Sequence, residues 1–285
     1  DSPILYNYRD LDMGIKKIFK FIRKNYIVGI LTLAVLIALV GTLSKVFAPE
    51  PKYVYVKVKM GQGLWWAGTL KPNVWFTSSL KKGEKELNIL GESTSEIMEV
   101  RYYPYKTESS QEALYNIFLT VKLAVNVSRK TEVVNFGKYP IIVGAPIEFE
   151  FPSTQVTGTI IDLSDKPFNE EKVDKIIYLT KRFAYPWEYE GIKVGDKYFD
   201  GEEVTFEVLD KSQRETFVIS SDSFGNLTPS TMESGRYVVV KAKVKVAKAG
   251  DKLIFGEEQV LLPGRPLSIS TSGFDFNNYL IGKIE

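Results

Sequence analysis

Residues 237–246 read YVVVKAKVKV. Val238, Val240, Ala242, Val244 and Val246 share one face of an extended chain, and Lys241, Lys243 and Lys245 share the other. Successive side chains of a strand point to opposite faces, so a period of two in β-branched residues predicts a half-buried strand with a wet lysine face. YVYVKVKM at 53–60 has the same form, with Tyr53, Tyr55, Lys57 and Lys59 opposite Val54, Val56, Val58 and Met60. The pattern returns at 117–126. Short runs of this kind, bounded by Gly, Pro and Asn, predict antiparallel sheets closed into barrels or stacked as sandwiches. Helical patterns are scarce, with short ones read at 109–115 and 169–177.

The pattern also repeats. FGKYPIIVGAPIEFEF at 136–151 matches FGEEQVLLPGRPLSIS at 255–270. Both open on Phe-Gly, run apolar, and reach Gly-x-Pro-apolar, at Gly144, Pro146, Ile147 and at Gly264, Pro266, Leu267. The strand at 117–126 matches that at 237–246, and 96–100 matches 205–209, so the spacing is about 120 residues. Two homologous β-domains are expected, near 50–163 and 175–285, joined by a linker at 164–174. Gly144 and Gly264 are read as turn glycines, with proline fixing the segment that follows.

Ahead of these lies YIVGILTLAVLIALVGTLS at 26–44, nineteen residues without a charge. At 1.5 Å per residue it extends roughly 28 Å, close to a bilayer's hydrocarbon core. Pro49 and Pro51 follow and argue for a stop. A single transmembrane helix over 26–47 is expected. A buried helix and a cleaved signal peptide compete with it. The uninterrupted apolar surface speaks against the first, and the length and poor small-residue pattern around 44–48 against the second. Lys16, Lys17, Lys20, Arg23 and Lys24 precede the span and form its basic flank. The positive side stays in the cytoplasm, so 1–25 is placed there or in the headgroup region, with the large C-terminal body outside. Membrane lipid is thus the first expected partner.

The basic approach GIKKIF at 14–19, the adjoining span, and the Val-Gly elements at 141–146 and 192–196 together resemble an uncharacterised family of single-span prokaryotic membrane proteins with a β-rich outer domain. The resemblance implies an anchored β body and supplies no catalytic residues. The Val194-Gly195-Asp196 turn followed by Gly201 also looks like turns in the β-barrel modules of membrane-fusion adaptors, whose long coiled-coil hairpin has no counterpart here.

Composition narrows the chemistry. The chain of 285 residues has no Cys and no His. That removes disulfides, thiolate nucleophiles and the usual base near neutral pH. A net charge of +2 gives no bulk attraction to nucleic acid. No Walker loop, nucleophile elbow or zinc motif occurs. The acidic run Asp162, Asp165, Glu170, Glu171 and Asp174 fits no calcium loop and reads as a solvated linker, as do Glu202, Glu203 and Glu207. No catalytic residue, metal or cofactor is assigned.

Aromatic residues remain. Trp65, Trp66 and Trp75 cluster early in the first domain, and Tyr185 and Trp187 early in the second. They fit local packing, a protein contact, or stacking on a glycan. Asn126-Val-Ser and Asn226-Leu-Thr are glycosylation acceptors. The expectation is a non-enzymatic, membrane-anchored structural or adaptor subunit of an envelope, surface or filament assembly. It would contact other membrane or envelope proteins, or further copies of itself. The alternative is a tethered binding module for a glycan, peptide or transported solute.

Overall fold

The computed structural model describes residues 26–47, 52–60, 74–105, 114–127, 133–137, 139–221, 223–276 and 278–285. It divides into two compact units, 1–51 and 52–285.

In the first unit, helix α1 spans Tyr26–Phe47. Ile30, Leu31, Leu33, Val35, Leu36 and Leu39 are all exposed, so apolar side chains face outward around the whole helix. The Thr42 hydroxyl donates to the Ala38 carbonyl at 2.7 Å, which removes a bare polar group from that surface. Among the described residues no helix is long and apolar enough to cross a membrane. A membrane span over 26–47 is therefore not shown.

The second unit is mainly β and holds two curled antiparallel sheets. The first contains β1 (Lys52–Met60), β2 (Lys85–Leu87), β3 (Ser93–Tyr105), β4 (Leu114–Val127), β5 (Val134–Phe136), β6 (Tyr139–Pro140), β7 (Pro146–Glu150) and β8 (Gln155–Ser164), in the order β2-β3-β4-β1-β8-β7 with β5 and β6 beside β4. Helix α2 (Val74–Ser79) precedes β2. The second contains β9 (Lys172–Ala184), β10 (Lys197–Phe199), β11 (Val204–Ser221), β12 (Leu227–Ala249), β13 (Lys252–Phe255), β14 (Gln259–Val260) and β15 (Leu280–Ile284), with helix α3 (Pro186–Gly191) between β9 and β10. Here the order runs β10-β11-β12, β9 pairs with both β12 and β15, and β13-β14 continue from β12. Of the segment expected as a helix at 169–177, residues 172–177 are instead the start of β9. Ile177 and Leu179 point into the core while neighbours alternate outward, and pairing with β12 decides the conformation. Of the helix expected at 109–115, residues 109–113 lie outside the described residues, and Leu114 and Tyr115 begin β4.

The two sheets follow one plan, down to hydrogen bonds. Val58 lies opposite Ile160 and Leu119 in the first; Leu179 lies opposite Ile281 and Val240 in the second. A bulge interrupts β3–β4 between Ile97 and Glu99, and β11–β12 between Val208 and Asp210. Gly144 N–H donates to Ile160 O at 2.7 Å and Gly264 N–H to Ile281 O at 2.7 Å. Both glycines have positive φ, 90° and 82°, which their turns require. Among the described residues β7 has no matching strand; the isolated bridge Pro266–Leu280 stands where Pro146 meets Thr159. Each lobe has its own core. Val56, Val121, Leu123, Phe149 and Ile160 fill the first, and Ile177, Phe206, Val240, Ala242 and Phe276 the second. Tyr103 and Phe118 come from first-lobe strands and pack in the second core.

Candidate functional site: the lobe junction and the surfaces it leaves open

The junction begins with a tight turn. β10 and β11 are joined by residues 200–203, and Asp200 Oδ1 accepts from the Glu202 and Glu203 amides at 2.9 Å each, a side-chain-closed turn. The other carboxylate oxygen is left to face β3. Arg101 Nη1 donates to it at 2.6 Å and the Tyr103 hydroxyl at 2.7 Å, while the Tyr102 amide donates to the Asp200 carbonyl at 2.8 Å. Asp200 is 0% exposed. A carboxylate so far from water persists only when its lone pairs are filled and its charge balanced. Burial alone would lower the pKa of Arg101, but the adjacent Asp200 charge outweighs it and holds the guanidinium protonated. Burial, then the same carboxylate, pushes the Tyr103 hydroxyl well above its ordinary value, so it remains a donor.

Gly201 completes the fit. Its φ is 109°, and an added Cβ would lie 2.3 Å from the Val100 carbonyl oxygen. Around this centre the charges interlock. Glu203 receives Lys172 at 2.8 Å, Lys245 at 2.6 Å and Arg101 at 3.2 Å. Burial raises the Glu203 pKa, but hydrogen bonds from Lys172 and Lys245 and the charges of Lys172 and Arg101 win and pull it down to about 2. The Val100 amide donates to Glu202 at 3.1 Å. The turn after β13 forms a second contact. Glu257 accepts from Lys57 at 2.7 Å, Glu258 accepts from Asn116 at 2.9 Å and from Lys59, and Glu170 also pairs with Lys57. Lys57 was expected on a wet face. It is buried because the second lobe covers that face of β1. Burial lowers its pKa, yet Glu257 and Glu170 more than offset this and raise it.

The acidic residues read as solvated therefore divide. Glu202 and Glu203 belong to the junction, and Glu170 pairs with Lys57. Glu171 and Asp174 form exposed pairs with Lys248 and Lys243. Among the described residues no group of three or more His, Cys, Asp or Glu is placed to hold a metal.

Of the aromatic candidates, Trp65 and Trp66 lie outside the described residues, as do Lys16, Lys17, Lys20, Arg23 and Lys24. Trp75 on α2 and Trp187 on α3 occupy matching places in the two lobes and are each 65% exposed. Trp75 meets Phe76 edge-on, and Trp187 stacks on Tyr185 with rings 6.2 Å apart. The structure does not bring the two tryptophans into contact with one another. Asn126, near the end of β4, and Asn226, before β12, are both exposed.

A concavity on the first lobe gathers Glu86, Asn126, Phe136, Tyr139, Glu148 and Glu150. Burial, joined by the Glu150 charge, raises the Glu86 pKa against the opposing hydrogen bond from Ser95 at 2.9 Å. Sequence reasoning missed Asp200 and Arg101. Asp-Gly-Glu-Glu looks like any exposed turn, and only the second lobe's packing shows what it enters. No protein-family model, curated protein or solved structure matches the chain.

Proposed function

We propose that the chain is a non-enzymatic, membrane-anchored structural or adaptor subunit of an envelope, surface or filament assembly. Helix α1 is the anchor in this reading, residues 1–25 stay cytoplasmic, and the β body lies outside. The observation that carries it is the outward apolar surface of α1, where Ile30, Leu31, Val35, Leu39, Leu36 and Leu33 present oil-soluble side chains in every direction. Such a helix needs an apolar environment. The likeness of 14–19, 141–146 and 192–196 to single-span proteins with β-rich outer domains belongs to the same proposal. Supporting a mechanical rather than catalytic role, the chemistry-bearing residues Asp200, Arg101, Tyr103 and Glu203 are all spent on holding the lobes together.

The test is gentle extraction from native membranes followed by mass measurement of the intact species. A complex with envelope proteins or with further copies is expected. A solitary monomer, or a chain recovered in the soluble fraction, overturns the reading.

A second reading, a tethered module for a glycan or peptide, is favoured by the concavity between Tyr139, Phe136 and the Glu86–Glu150 pair. Titration with oligosaccharides, reading the two-dimensional amide spectrum, separates the two.

A further inference from the structure

The two lobes carry the same concavity, filled in one and open in the other. Its walls correspond through the shared register. Thr94 stands where Thr205 does, Ala124 where Lys245 does, and Phe136-Gly137 where Phe255-Gly256 do. In the second lobe Tyr103, which comes from β3 of the first, fills the space. A Cβ at Gly256 would come 3.0 Å from its ring, Phe255 meets that ring edge-on at 5.7 Å, and about 20 Å³ remains. In the first lobe a Cβ at Gly137 meets nothing within 4 Å, and the concavity measures about 410 Å³. That is room for a small ligand or a few peptide side chains.

The open concavity has a main-chain wall. Phe151 and Thr154 exchange both hydrogen bonds, at 3.0 and 3.2 Å, where β7 turns into β8. Bonded and non-bonded pairs alternate along an antiparallel ladder. Ile147 and Phe149 therefore bond to β8, and Glu148 and Glu150 turn their amides and carbonyls to the free edge of β7. The Glu150 amide is taken by the Glu86 carboxylate. The second lobe closes the same edge with a side chain. Gln259 donates to the Ser268 carbonyl at 3.1 Å and accepts from the Ser268 amide at 2.9 Å, as a neighbouring strand does. Tyr139 holds the place of Gln259, and Glu148 that of Ser268. Tyr139 has no amide to offer and is exposed, so the edge at Glu148 stays open.

The charge differs as well. Glu86 replaces Tyr198, Glu148 and Glu150 replace Ser268 and Ser270, and Ala124 replaces Lys245. Among the described lining residues there is no cation, so the chemistry calls for a positively charged guest. The likeness to the filled site ends at the 88–92 turn, where Ile89 carries a side chain in the place of Gly201. A guest therefore runs along β7 and does not retrace β3.

We infer that the first lobe binds an extended peptide of a partner protein. The peptide pairs its main chain with the edge of β7 at Glu148, lays an aromatic ring over Gly137 as Tyr103 lies over Gly256, and sets a lysine or arginine among Glu86, Glu148 and Glu150. Edge pairing is main-chain chemistry, which favours a peptide over a glycan. This deepens the second reading above, a tethered module for a peptide, and rests on it.

The experiment titrates the full chain, in detergent micelles, into dye-labelled, end-blocked pentapeptides Lys-Thr-X-Thr-Lys, with tyrosine or phenylalanine at X, and reads anisotropy. Alternate side chains of an extended peptide share a face, so both lysines stand beside the ring. Saturable binding is expected. Glutamate in place of both lysines weakens it by about tenfold, the loss of two partly exposed charge pairs. Tyr139→Gln supplies the missing amide, closes the edge as Gln259 does, and abolishes binding without lowering the thermal transition. Glu148→Gln with Glu150→Gln removes the preference for the basic peptide. No saturation with either basic peptide, equal affinity for the acidic one, or binding unchanged in Tyr139→Gln overturns the inference. Oligosaccharide titration keeps it distinct from the reading it rests on. Amide shifts at Phe136 and Tyr139 with a saccharide alone end the peptide and keep the module, and no shift with either ends both.

Discussion

Arg101 and Asp200 stand 99 residues apart in the chain and 2.6 Å apart in the fold, joining β3 of one lobe to a turn of the other with almost no water access. Removing one partner of a buried ion pair leaves the other charge unpaired, which costs about 3–5 kcal/mol. Asp200→Ala also strips the turn of its two closing hydrogen bonds. It is expected to lower stability by about that amount in denaturant unfolding. Asp200→Asn costs less, about 1–3 kcal/mol, because Asn88 already closes the equivalent turn with an amide oxygen. Equal losses for the two would show that the charge, not the turn, dominates.

Gly201 offers a separate check. Gly201 and Gly91 both have positive φ, 109° and 78°, in equivalent turns, but only Gly201 is pressed against a carbonyl. Gly91→Ala carries the cost of left-handed backbone alone, about 1–2 kcal/mol. Gly201→Ala adds a clash that only separation of the lobes relieves. Amide exchange at Tyr102, whose N–H donates to the Asp200 carbonyl, is expected to quicken in Gly201→Ala and not in Gly91→Ala.

Glu203 gives the junction an acid limit. Its pKa in the fold, about 2, lies below the ordinary 4.5. A carboxylate depressed on folding adds stability above its unfolded value, and that stability drains away as pH falls through the folded one. Loss is therefore expected between about pH 4.5 and 2. Glu203→Gln flattens the stability profile across this window, measured by denaturant midpoints at successive pH, and leaves it parallel to the parent above pH 5.

Trp75 and Trp187 separate surface from core. Each is largely exposed and has one aromatic neighbour. Replacing either with alanine is expected to cost no more than the loss of one ring pair, about 0.5–1.5 kcal/mol. Tyr103→Ala empties a place in the second core and costs about 3–5 kcal/mol, the range for large aromatics. If these tryptophans serve a partner, Trp187→Ala dissociates the native complex while the thermal transition stays near its place.

The fold was largely legible because its signal is local. Val238, Val240, Ala242 and Val244 alternate in sequence and alternate in burial. Gly144 and Gly264 announce turns that only positive φ can make, and so betray the repeat. The junction was illegible because its signal is not local. Lys57 sits in a strand whose lysines look solvated, and Asp200 in a turn rich in acids; each is desolvated by residues more than 90 positions away. The 169–177 segment failed for a related reason. It reads as a short helix in sequence, but pairing of its residues 172–177 with β12 outweighs local preference.

The anchor can be tested at one residue. Leu36 lies near the middle of α1 and is exposed. An arginine at the centre of a membrane helix costs about 2.5–3.5 kcal/mol in insertion. Leu36→Arg is expected to move a measurable share of the protein from the alkali-resistant membrane pellet to the supernatant, read by fractionation and blotting. The same change at Trp75, exposed on the body, shifts nothing. Replacing Lys16, Lys17, Lys20, Arg23 and Lys24 with glutamate tests direction rather than insertion. With the cytoplasmic charge bias removed, a fraction of chains is expected to insert reversed. Those chains present the β body to protease on the cytoplasmic side, while the parent's body is cut only from outside. If the parent body is digested from the cytoplasmic side as well, the proposed topology is wrong even where α1 is a true span.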